Sequence, residues 1–308
     1  MVPMSKPSLA PSVTSRNTKG RKFMDIVGAA YDKKELSDEE AQRVNESPGL
    51  ADLISKFIAD NRRSNKFKDE EVMSSRIYPN GYAGPKPIKQ QVEILLKHFP
   101  GLDPEPAFRY MRDIYPKLNL PNWVEGAFAV PNEYVLAEKF YPQVKGRLPR
   151  YCAGVNLVLE KIAQTGRPFY NYCEGQVRRI LRTTQMIDRL IEMQGGADII
   201  IHPMQLGIRH AGRSVRRGRE LYAKQEFGEG SLEVGSVVLT HPERLSCWEE
   251  LDMDCAGDEF RPHAGDDFSH APCFDFDDGK AGFGASVVSD VLDDFGAVSA
   301  FLQECPES

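Results

Sequence analysis

The sequence predicts an α/β or α+β protein: a mixed sheet with flanking helices, preceded by a small helical region. Three observations carry this. Ile199-Ile200-Ile201 is a β-branched run of the kind that fills a buried strand. Apolar residues recur at helical spacing in several stretches, as in Leu50, Leu53, Ile54, Phe57 and Ile58. Helical and strand-like segments alternate between residues 176 and 241, the order expected of crossover units. With 308 residues, 41% of them hydrophobic and 27% charged, the chain is long enough to bury a sizeable core.

Residues 1–22 read as a disordered basic tail rich in Ser and Pro. They lack the apolar core of a secretory signal, and their want of acids leaves an organelle transit peptide open. Residues 23–120 read as a helical N-terminal region. Ser37-Asp38-Glu39-Glu40 is a capping box, and Ser47-Pro48 caps a helix over LADLISKFIADNRR. RRSNKFKDEEVMSS reads as a linker or an extended charged helix, and YPNGYAGPKP as a break. IKQQVEILLKHF and EPAFRYMRDIY are two further helices.

Residues 121–308 read as an α/β domain with an acidic C-terminal part. Trp123–Val130 is a strand and Tyr151–Thr165 a helix with Val155, Leu157, Val158 and Ile162 inward. RPFYNYCEGQ is an aromatic loop or short strand. Gln176–Gln194 reads as a helix sharing Arg178, Arg182 and Arg189 on one face, ended by Gly195-Gly196. Ala197–His202 is a buried strand, Ile208–Gln225 a basic helix, and Glu233–His241 a second strand. A parallel crossover between the two strands follows from that order. CWEELDMDC and APCFDFDD are strand candidates in the acidic part. VVSDVL and FGAVSAFL are apolar anchors for it.

Charge is distributed unevenly. Residues 1–24 hold five basic and no acidic residues, residues 145–226 hold fifteen basic against seven acidic, and residues 246–308 hold two against sixteen. The acidic part is therefore expected to screen the basic helix, within one chain or between copies, and neutralising Asp266, Asp267, Asp277 and Asp278 to strengthen polyanion binding. No apolar run approaches the ~18 residues of a membrane helix. Six cysteines without a C-x-x-C, in a chain this long, point to reduced thiols and a cytoplasmic location.

The strongest functional signal is the arginine-rich stretch after the isoleucine run. Arg209, Arg213, Arg216 and Arg217, with Arg178 and Arg182 from the preceding helix, are the candidate anion-binding residues, because guanidinium forks match phosphate and carboxylate oxygens. The plain alternative is that Arg213, Arg216 and Arg217 pair with the acidic C-terminal part, while the histidines cap strand ends and hydrogen-bond carbonyls. His202, His210 and His241 are the candidate acid/base residues, expected along one rim at the carboxyl ends of two parallel strands. Gly212 marks either close approach of a ligand or a helix that starts only at a Ser214 cap.

Other motifs are weaker. Cys247, Cys255, His263, His270 and Cys273 lack the paired spacing of a zinc site, and Asp275–Gly279 opens like a calcium loop but lacks its closing glutamate, so no metal is assigned. Cys173 is either activated at a helix start or a buried thiol. Phe169, Tyr170 and Tyr172 are either a base-stacking platform or core. No serine or metalloprotease motif is present, and no cofactor is named. The runs LGIRHAGRSVRRGRELYAKQEFGEGSLEVGSVVLTHPERL and DCAGDEF resemble segments of uncharacterised bacterial proteins over about the last half of the chain. The resemblance implies neither activity nor ligand.

Three functions stay open. The first is a binding protein for a phosphate-bearing partner, RNA or DNA ahead of a free nucleotide. The second is an enzyme on a small anionic substrate, with Arg209 and Arg213 as its clamp and the histidines as acid/base. The third is a structural or self-associating protein.

Overall fold

The computed structural model describes residues 18–47, 49–51, 53–54, 66–173, 176–263 and 265–303, in two compact units that divide after Arg63. The expected cap at Ser47-Pro48 and most of the helix after it lie outside the described residues. The first unit contains α1 (Thr18–Asp32) and α2 (Asp38–Asn45). Helix α1 begins inside the segment expected to be disordered. The capping box at α2 forms as expected: Ser37 Oγ accepts from the Glu40 amide, and the Glu40 carboxylate accepts from the Ser37 amide at 2.9 Å.

The first described residues of the second unit form a strap over residues 66–78, a turn at 66–69 followed by irregular chain. Two amphipathic helices follow as expected, α3 (Ile88–His98) and α4 (Glu105–Asp113). Next come β1 (Gly126–Pro131), α5 (Glu133–Phe140), α6 (Arg147–Ala163), β2 (Phe169–Asn171), β3 (Gln176–Arg179), α7 (Leu181–Met193) and β4 (Ile199–Gln205). The remainder is α8 (Val215–Leu221), β5 (Glu226–Gly228), α9 (Ser231–Thr240), β6 (Asp252–Asp254), β7 (Asp258–Arg261), β8 (His270–Asp277), β9 (Lys280–Val287), β10 (Phe295–Ala297) and β11 (Ser299–Phe301). Among the described residues, no helix is long and apolar enough to cross a membrane.

Two sheets form, and together they are mixed as expected. One has the order β1-β4-β11-β5 and is antiparallel throughout. The other runs β10-β6-β8-β7-β3, with β9 beside β8 and β2 beside β9; its β10–β6 and β2–β9 pairs are parallel. The acidic C-terminal part is thus a folded sheet rather than an arm laid over the basic helix.

Three expectations are corrected. Glu233–His241 is not a strand but most of α9, which lies between the sheets and contacts β1, β8, α3 and α6. Every residue of α9 is buried, so no polar face remains to reveal helical periodicity. Its hydroxyls turn back onto the helix, Ser236 Oγ donating to Leu232 O at 2.7 Å and Thr240 Oγ1 to Ser236 O at 2.8 Å, which allows complete burial. The parallel crossover therefore does not exist, and β4 has only antiparallel neighbours.

Residues 176–179 are strand β3, so Arg178 and Arg182 do not share a helix face. The basic helix shrinks to α8. It starts after Ser214, whose side chain accepts from the Arg217 amide at 3.1 Å, while Gly212 has a φ of 71° that only glycine adopts freely.

One close approach of backbones shapes the interior. A Cβ on Gly228 would stand 2.6 Å from the Ala256 carbonyl carbon, and one on Gly257 would run into Gly228 O. The two glycines let the β5–α9 turn touch the β6–β7 turn, with Gly257 N–H donating to Glu229 O at 2.7 Å. Gly228→Ala is expected to cost about 3 kcal/mol by forcing these backbones apart. An unchanged denaturation midpoint would show that they separate freely.

Candidate active site

The glycine contact brings several ionisable residues together from distant parts of the chain. Asn132 caps α5, its side-chain oxygen accepting from the Tyr134 amide at 3.0 Å, and so sets Glu133 on the first turn. Helix α6 places Tyr151 in the interior. Strand β3 ends on Arg179, in register with Asp258 of β7. Glu233 lies in the first turn of α9 and accepts from the Gly230 amide at 3.1 Å. Asp258 Oδ2 accepts from the Ser231 amide at 2.6 Å and from Tyr151 Oη at 2.7 Å. A Cβ on Gly230 would stand 2.5 Å from Tyr151 Oη, 2.7 Å from Asp258 Oδ1 and 2.9 Å from Glu233 Oε2. Glycine is required where these three oxygens converge.

Arg179 is the hub. Its guanidinium donates to Glu133 Oε2 at 2.8 Å and to Glu233 Oε1, and it stacks over the Tyr151 ring at 4.2 Å. Burial works against its charge, but Glu133 and Glu233 overcome it and hold Arg179 firmly cationic. The carboxylates respond differently. Burial, reinforced by the charges of Glu229 and Asp258, pushes Glu233 up to about 7 against the pull of Arg179 and His202. Burial also raises Asp258. His202 joins from β4: its Nδ1–H donates to Glu229 Oε1 at 2.8 Å.

Glu133, Arg147 and Tyr151 line two adjoining hollows of about 220 and 230 Å³; Arg179 lines the second. Arg150 stands at the rim of one and Arg178 at that of the other. Behind this cleft the hydrogen-bond accounting is incomplete. Glu133 Oε1, Arg179 Nε, Glu229 Oε2 and Asp258 Oδ1 are buried without a partner. Buried polar atoms are rarely left so, and several around one cleft mark a place for a ligand or ordered water.

No family model, curated protein or solved structure matches this chain. Its chemistry has to be read from the site itself.

Of the three candidate histidines, only His202 belongs to this cluster. His210 donates through Nε2 to Glu226 at 2.7 Å, and burial lowers its pKa against the attraction of that carboxylate. His241 follows α9 rather than a strand. Its Nε2 accepts from the Lys86 amide at 2.9 Å, so Nδ1 carries the proton toward Thr240 Oγ1. Burial, then the Lys86 charge, lowers it to about 4. The expected single rim of histidines is replaced by three separate environments, because the parallel strands that would align them are absent.

The six candidate arginines all have protein partners. Arg209 forks onto Glu226 and lies over Trp123 at 4.4 Å. Arg213 and Arg217 meet Glu71, and Arg216 meets Glu70. Arg178 pairs with Glu259 at 2.9 Å, and Arg182 donates to the carbonyls of Ala223, Lys224 and Glu226. Arg213, Arg216 and Arg217 pair with acids, but with Glu70 and Glu71 of the strap and not, as the plain alternative had it, with the acidic C-terminal part.

Cys173 is not an activated thiol: burial raises it to about 12. Tyr170 and Tyr172 are exposed and stack on each other at 4.2 Å. Among the described residues, no group of three or more His, Cys, Asp or Glu side chains could hold a metal.

Sequence reasoning missed Glu133, Tyr151, Arg179, Glu229, Glu233 and Asp258. Two of them did carry a signal. Glu229 and Glu233 interrupt the run EFGEGSLEVGSVVLT, and a carboxylate inside a run destined for burial needs a partner.

Proposed function

We propose that the chain is an enzyme that moves a proton on a small polar substrate held between α5, α6 and β3. The supporting observation is Glu133 Oε1, a buried carboxylate oxygen at a cleft wall that accepts no hydrogen bond and lies 3.9 Å from the Arg147 guanidinium. Glu133 is the group that meets the substrate. Arg179 orients it through its second oxygen. Glu233 is a positioning residue that sets the charge shared by Arg179. Arg147 and Arg178 line the cleft already paired with Asp188 at 2.8 Å and Glu259 at 2.9 Å, so an anionic group on the substrate would compete with those carboxylates. The five described cysteines are free thiols, which supports a reducing, cytoplasmic setting.

The test is a melting-temperature screen of small carboxylated, phosphorylated and hydroxylated compounds. Compounds that stabilise the protein are then incubated in deuterated water and followed by NMR. Solvent deuterium should enter a stabilising compound, or a product should form, with a pH profile inflecting near 7. Glu133→Gln should abolish turnover, and Glu233→Gln should move the inflection. Equal turnover by Glu133→Gln, or no stabilising compound, sinks the reading.

Nucleic-acid or other phosphate binding by the expected arginines has a narrower opening. Arg213, Arg216 and Arg217 would first have to exchange Glu70 and Glu71 for phosphates. Self-association through the acidic part is less favoured, since that part is sheet, the Arg216 amide already donates to Val288 O within it at 3.0 Å, and the side chains of these three arginines meet Glu70 and Glu71 instead.

A further inference from the structure

The strap is built unlike the rest of the second unit. Its backbone lies beside the residues leading into α8: Glu71 and Arg213 form an isolated antiparallel bridge, Val72 N–H donates to Gly212 O at 2.7 Å, and Ser214 N–H donates to Glu70 O at 3.2 Å. The Glu70 carboxylate is gripped by Arg216 Nε at 2.8 Å and Ser214 Oγ at 2.6 Å. Glu71 lies between Arg217 Nε at 2.5 Å and Arg213 Nε at 3.2 Å. Gly212 is needed for this seat, since a Cβ there would run into Val72 O.

The strap's apolar side chains contribute little. Met73 is 95% exposed, Ile77 60% and Val72 46%. Charge, a few amide bonds and Phe67 under the Arg216 guanidinium at 4.3 Å hold residues 66–72 down, while the far end is anchored by Arg76, which donates to Glu249 O at 2.6 Å, and by Tyr78, which packs on the core under Arg244 and donates to Glu125. The side chains of Arg216 and Glu71 are 39% and 31% exposed, whereas those of Glu70 and Arg217 are 18% and 7% exposed. The more open pairs, Arg216–Glu70 and Arg213–Glu71, are screened by salt, and the Arg217–Glu71 pair is the better-protected anchor.

We propose that residues 66–74 are a self-bound acidic strap that closes a nucleic-acid-binding surface formed by Arg213, Arg216 and Arg217. A chain carrying two adjacent carboxylates stands in for two successive phosphates of a single strand. The forks that hold Glu70 and Glu71 would hold phosphate oxygens in the same bidentate manner. This surface accounts for the basic motif that the proton-transfer site leaves unused, and it does not depend on that site.

The test is fluorescence anisotropy with a labelled oligothymidylate on the full chain, with polyglutamate as a second probe. The double variant Glu70→Gln/Glu71→Gln should bind the oligonucleotide about tenfold more tightly than the wild type, a gain of about 1.4 kcal/mol. Three phosphate contacts give a log–log salt slope of about −2 on a single strand. Adding Arg216→Gln to the double variant should remove the gain.

Amide exchange on the wild-type protein reads the same event without a variant, so a folding defect cannot hide the answer. Saturating oligonucleotide should speed exchange at Val72 and Ser214, whose amides close the strap. Unchanged affinity in a folded double variant, binding independent of salt, or continued protection of these amides would overturn the proposal. So would preference for polyglutamate, which would point to an acidic protein partner instead.

Discussion

Arg179→Met is expected to lower the melting temperature of the second unit by about 10 °C. The arginine is 5% exposed at its side chain and is shared by two carboxylates that are themselves buried. Removing one partner of a buried ion pair typically costs about 3–5 kcal/mol, because the remaining charge is left uncompensated. In a domain of this size each kcal/mol is worth about 2–4 °C.

The cost should be mostly uncompensated charge rather than lost packing. Adding Glu133→Gln and Glu233→Gln to Arg179→Met removes the stranded carboxylates and should therefore recover part of the loss. Arg179→Lys keeps one charge but cannot reach both partners in the same fork, so it should fall in between. Melting temperatures within 2 °C of the wild type for Arg179→Met would mean that water reaches the cluster and that the charges are not coupled. The proton-transfer reading would then lose its hub.

Stability is expected to peak near pH 5 and to fall as pH rises toward 9. Asp252 is held up at about 9 by burial and the neighbouring charges of Asp275 and Asp294, against Arg244. Asp254 is held at about 7 by burial, against Arg219, and Glu233 stands at about 7. Each of these groups keeps a proton in the folded chain that it releases on unfolding. Their contribution is complete below the ordinary carboxylate range and is lost as pH climbs through the folded values.

Glu226 behaves oppositely. Hydrogen bonds from His210 and Arg209 outweigh its burial and hold it down to about 2, so its contribution is present above 4.5 and lost as pH falls toward 2. Asp252 alone accounts for about 3 kcal/mol between pH 7 and 9, at 1.36 kcal/mol for each unit of pH. Denaturant midpoints measured across this range should decline, and Asp252→Asn should flatten the upper half. A flat profile from pH 5 to 9 in the wild type would show that these carboxylates are ionised and solvated.

Local structure was largely legible from local signals. The Ser37–Glu40 box, the apolar stripes of α3 and α4, the inward face of α6 and the β-branched β4 all lie where caps and periodicity put them. Each depends on interactions within a few residues. The two main failures have opposite causes. Helix α9 is buried all round, so its β-branched content outvoted a periodicity that was not there to read. Strand β3 was absorbed into the following helix because Val177 and Ile180 continue its apolar spacing.

The candidate site was legible only as unexplained charge. Arg179 finds Glu133 and Glu233 at separations of 46 and 54 residues, and Arg216 finds Glu70 at a separation of 146. No spacing rule connects residues that far apart; only packing of the intervening elements does. By itself, the sequence determined the mixed helix–sheet character, the helical N-terminal region and the presence of an arginine-rich stretch that must meet anions. The tertiary structure decided which anions those are, Glu70, Glu71, Glu226 and Glu259 among them. It also decided which carboxylates are buried beside one another, because desolvation and pairing are properties of a folded neighbourhood and not of a local stretch of chain.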